Sequence, residues 1–141
     1  MKTWTMMYLL IWVAFLQILI IMFPVLGSFP TYDLHLVVGV AVIGLAYTVY
    51  SRVSKTNCPA RIKRITKTTA YLGVFQAILG LILYLVLRFA MGVPFTGFIN
   101  FIHVAVAIAM ITQASSSATA FDMWEEKEFT LPTTTGAIAT S

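Results

Sequence analysis

Four long apolar runs constrain this chain more than any other feature. They cover about residues 7–25, 34–50, 69–87 and 98–118. Each approaches the roughly 20 residues that a helix needs to cross the hydrocarbon layer of a bilayer. Hydrocarbon offers no water to peptide groups, so each run must satisfy its own N–H and C=O groups by forming a helix. The expected fold is therefore all-α, an integral membrane four-helix bundle. With 141 residues, 60% of them hydrophobic and 10% charged, nothing beyond the four spans remains except connections and one tail. The first run begins where a secretory signal would, but it exceeds the length of a signal h-region and is read as a retained span.

Breakers and charges organise the rest. Pro24, Gly27 and Pro30 close the first run, Pro59 interrupts the segment between the second and third, and Gly92, Pro94 and Gly97 separate the third from the fourth. Arg52, Lys55, Arg61, Lys63, Arg64 and Lys67 fall in the 51–67 segment, six of the nine basic residues. This asymmetry predicts that 51–67 and both termini are cytoplasmic, N-in and C-in, with 26–33 and 88–97 facing outward. The expected location is a prokaryotic cell membrane, crossed several times. Despite the net charge of +4, cations confined to one loop beside apolar spans point to anionic lipid and exclude a nucleic-acid-binding face. Cys58 is the only cysteine, which excludes an intrachain disulfide, a Cys-x-x-Cys-His haem attachment and a paired-cysteine zinc site.

Two parts are expected, a transmembrane bundle over 1–119 and a cytoplasmic tail over 120–141. The tail opens with Asp122, Trp124, Glu125, Glu126, Lys127 and Glu128 and then loses any pattern able to fold alone. It is expected to be an ordered polar tail held against other membrane-protein subunits, with Trp124 as its anchor.

Each half of the bundle carries a glutamine in its first span and a histidine early in its second. Gln17 precedes His35, Gln76 precedes His103, and these are the only two histidines. The second and fourth spans run in the same direction, so the two imidazoles should lie within about one helical turn of the same depth and face each other across the bundle. Ionisable groups in a membrane are costly, which makes the pair a candidate site, the alternative being two histidines hydrogen-bonded separately near the headgroups.

Zinc and copper sites usually draw three or four ligands from protein, whereas a haem iron needs only two axial ones. The expected ligands are therefore His35 and His103 on one haem b. Gly39 and Ala107 each follow a histidine by four residues, on the same face, and would leave room for a flat ring. Arg88 ends the third span where it could pair with a haem propionate, and Tyr32 and Asn100 stand at the same level. Gln17 and Gln76 should face inward and bond across helices, with contact to a quinone or to the haem edge as a further option.

A four-helix chain with His35 near the outer start of its second helix and His103 near the outer start of its fourth resembles one half of the haem A synthase family. The resemblance spans about residues 5–118. It implies axial haem ligation by these two histidines and, in the family, oxidation of a haem methyl group. Two features depart from it. Asp33 is the nearest acid before His35, and Leu36 follows it, where the family typically has a glutamate before the histidine and often an arginine after it. The family's outer-loop cysteine pair is also missing. The expected function is electron transfer or a haem A synthase-like role in a respiratory membrane system, as a haem-dependent oxidoreductase or a subunit of one. The alternative is a non-catalytic accessory subunit of a larger membrane oxidase or monooxygenase complex. A transporter is disfavoured because the spans lack acidic residues and paired broken helices.

Overall fold

The computed structural model of the chain describes residues 2–22, 31–89 and 94–130. They form four α-helices, α1 (Thr3–Met22), α2 (Thr31–Ser54), α3 (Ala60–Arg88) and α4 (Thr96–Thr130). All four are long and apolar enough to cross a membrane. Each helix packs on its two neighbours in the order α1–α2–α3–α4–α1, so α1 and α3 form one diagonal of the bundle and α2 and α4 the other.

The helices outlast the apolar runs. α3 starts at Ala60, so Arg61, Lys63, Arg64 and Lys67 lie on its first two turns rather than in a loop, and only residues 55–59 connect α2 to α3. Pro59 stands at the N-cap, where its carbonyl accepts from the backbone N–H of Ile62 at 3.0 Å and Lys63 at 3.4 Å. Lys67 places its ammonium 5.6 Å from the Tyr71 ring centre, an amphipathic pair of the kind that lines a membrane boundary.

α4 is the larger difference. It continues past residue 118 without a break, and at 35 residues it is roughly 50 Å long, well beyond a hydrocarbon layer. Asp122 to Glu128 are therefore helical. Phe121 is only 1% exposed, its ring centre is 5.3 Å from that of Trp124, and both join the hydrophobic cluster that includes Trp4. Trp124 thus anchors on its own bundle. Residues 131–141, and the turns expected at Gly27, Pro30 and Gly92, lie outside the described residues.

Packing is uneven along the bundle axis. At the end that carries the 55–59 connection, Met6, Met7, Leu10, Val49, Val53, Cys58, Ile62, Ala118 and Phe121 are all buried. Small residues permit close approach there: a Cβ on Gly73 would meet Met110 Cε at 3.3 Å and the Ala46 Cβ at 3.9 Å. Beyond the middle of the bundle, toward Met22, Thr31, Arg88 and Thr96, the buried hydrophobic residues are fewer, Ala14, Leu83 and Val86 among those described. This second half, here termed the distal half, holds both histidines with Gln17 and Gln76, while the buried Thr66, Thr69 and Ser117 lie in the first half. The outward faces of the apolar runs carry large exposed hydrophobic residues, with Trp12, Val37 and Phe101 about two-thirds exposed, a surface compatible with lipid as its solvent.

Candidate functional site

The distal half brings His35 and His103 together. They project from the diagonal helices α2 and α4, with ring centres 6.2 Å apart and planes inclined at 59°. The expectation that two co-directional helices would set them at matched depth is met by this contact. Two imidazoles in line on opposite sides of a metal, each nitrogen about 2 Å from it, have ring centres roughly 6 Å apart. Among the described residues, no group of three or more His, Cys, Asp or Glu side chains is placed to hold a metal.

Each histidine is held by the glutamine of its own half, not by a glutamine–glutamine bond across the bundle. The His35 Nδ1–H donates to the Gln17 backbone carbonyl at 3.1 Å. A carbonyl can only accept, which fixes the tautomer and leaves the His35 Nε2 lone pair free. His103 is held by a side chain: the Gln76 amide nitrogen lies 3.2 Å from His103 Nε2.

Polar atoms here lack partners. Gln17 Oε1, Gln76 Oε1 and His103 Nδ1 are buried with no hydrogen-bond partner, and among the described residues the one further case is Gln113 Oε1, nearer the opposite end. Each such atom costs about 1–3 kcal/mol, and apolar packing does not return it. Three of them surround one pair of imidazoles.

Glycines shape the surroundings. Gly39, expected to clear space beside His35, does so for Gln17: a Cβ there would stand 2.9 Å from the Gln17 Nε2. A flat ring over Gly39 therefore requires that amide to turn aside. Gly80, which the spacing argument missed, has the same role for His103, since a Cβ on it would stand 3.0 Å from His103 Cε1. The signal was present, because Gly80 follows Gln76 by four residues and shares its helix face. Ala107 is half-buried, one turn beyond His103.

Arg88 and Asp33 meet at the distal rim through a residue that was not singled out. The Tyr84 hydroxyl donates to Asp33 Oδ1 at 2.7 Å, joining α3 to α2, and the Arg88 guanidinium lies beside the same phenol. Arg88 is otherwise exposed at the end of α3, and Tyr32 and Asn100 face outward rather than toward the imidazoles. Comparison with protein-family models, with curated proteins and with solved structures finds no match.

Proposed function

We propose that this chain is a multi-pass membrane protein in which His35 and His103 are the two axial ligands of one b-type haem, serving electron transfer or haem modification in a respiratory membrane of a prokaryotic cell. One observation carries the reading: the only two histidines, 68 residues apart in sequence, face each other at 6.2 Å across the bundle diagonal. The donor set fits. Two imidazoles with no third metal-binding side chain grouped with them among the described residues suit an iron whose remaining four ligands come from a porphyrin. His35 carries a free lone pair on Nε2, and the unpartnered His103 Nδ1 would offer one with the ring proton moved to Nε2.

A bound haem would supply reversible one-electron chemistry. The chain's own contributions are the alignment of two imidazoles, the exclusion of water by the apolar faces around them, and a cation at the rim. Arg88, beside Tyr84 and Asp33, is the residue available to a propionate, and engaging one would draw it from the phenol. The helix directions and the cations around 52–67 support an orientation with the termini and the 55–59 connection in the cytoplasm and the histidines toward the outer face.

Haem content measured on protein purified from haem-replete membranes tests the reading. About one haem per chain is expected in the parent protein, and far less in His35→Ala or His103→Ala. A parent protein that inserts and folds yet carries no haem, and gains none when haem is added, would favour the accessory-subunit reading.

A further inference from the structure

The two histidines are held by different kinds of group, and the difference assigns a role to Gln76. His35 is fixed by a main-chain carbonyl that cannot turn. His103 is fixed by an amide that can present either its nitrogen or its oxygen to the ring. With the nitrogen donating to Nε2, the His103 proton must sit on Nδ1. Two atoms are then left over, His103 Nδ1 and Gln76 Oε1, and both are buried without a partner. A half-turn of the amide reverses the assignment, with the amide NH2 taking the place of the buried oxygen. Its oxygen then accepts from a proton on Nε2, and Nδ1 becomes a bare lone pair within the site.

We infer that Gln76 is the positioning residue for His103, its amide oxygen accepting the Nε2–H so that Nδ1 is the nitrogen offered to a metal. This rests on the haem reading above. It makes the two ligands alike in principle, since each ring gives its second N–H to an oxygen, His35 to the Gln17 carbonyl and His103 to the Gln76 amide. It also fits Gly80, whose missing Cβ lets the imidazole lie against α3 one turn from Gln76.

The acceptor tunes the iron. A stronger acceptor on Nε2–H makes the imidazole a better electron donor and favours the ferric state, and loss of the acceptor does the reverse. The midpoint potential should therefore fall in the order Gln76→Leu, parent, Gln76→Glu. A purely structural role for Gln76 would not order the potentials by acceptor strength.

The tautomer provides a second readout that needs no haem. In the haem-free protein, 15N NMR of labelled histidine should show the His35 proton on Nδ1 and the His103 proton on Nε2, with the His103 preference lost in Gln76→Leu. Haem in the parent protein with potentials that ignore the acceptor order, or a His103 proton on Nδ1, would overturn the role of Gln76 and leave the haem reading standing. If the parent protein carries no haem, the haem reading and this role fall together.

Discussion

Glycines in these helices are not equivalent, and three of them separate shape from propensity. A Cβ on Gly44 meets nothing within 4 Å, so Gly44→Ala should gain the helix preference of alanine, up to about 1 kcal/mol. A Cβ on Gly39 meets the far end of the flexible Gln17 side chain, which can move at little cost. Gly80→Ala gains the same propensity but drives a methyl to 3.0 Å from the His103 ring, in a place where overpacking costs about 1–3 kcal/mol. The expected order of haem retention is Gly44→Ala equal to the parent, Gly39→Ala slightly reduced, Gly80→Ala strongly reduced. Haem-to-protein absorbance ratios after identical purification measure it, and equal retention in all three would remove the close fit of His103 on Gly80 from the account. Spacing in the sequence made Gly39 legible as a missing side chain, but not what fills the space. A contact between a side chain of α1 and a backbone position of α2 depends on helix rotation, which no spacing along one chain reveals.

At the scale of elements, the apolar runs located every helix and misplaced most ends. A hydropathy run marks where a chain can lie in hydrocarbon, whereas a helix ends where its caps and breakers end it. Lysine, arginine and glutamate favour helix about as well as leucine does. The cations after Pro59 therefore extend α3 backward, and the acidic stretch from Asp122 extends α4 forward. The extension of α4 is held by packing at Phe121. Phe121→Ala, which empties a fully buried site in the cluster with Trp4 and Trp124, should cost about 3–5 kcal/mol locally. Limited proteolysis should then cut within 119–130 much faster than in the parent, while the spans stay protected. An unchanged cleavage pattern would show that this segment does not depend on the aromatic contact.

The whole molecule is a square of helices with a tightly packed end and a less tightly packed one that holds the histidines, and the orientation proposed for it in a membrane rests on charge. Cys58 is 4% exposed and a poor reporter, so topology is better tested in a Cys58→Ser background with single cysteines at Lys55 and Gly97, both exposed. An impermeant thiol reagent added outside intact cells should label the cysteine at position 97 and spare that at 55; the opposite pattern would invert the bundle. Four long apolar helices and the pairing of the histidines at one level of the bundle were legible because they follow from the apolar runs, helix direction and a rise of about 1.5 Å per residue. The Tyr84–Asp33 bond and the Gly80 cradle were not, because each joins two helices whose relative rotation only packing decides.

The most direct test of the central claim is the reduced-minus-oxidised absorption spectrum of the purified protein, recorded alongside His35→Ala, His103→Ala and the double variant. The pairing of two imidazoles at 6.2 Å predicts a low-spin bis-imidazole b-type spectrum in the parent, converted to high spin or lost in each single variant and absent from the double. A low-spin spectrum that survives removal of both histidines, or a parent protein that shows none after haem is supplied, would contradict it.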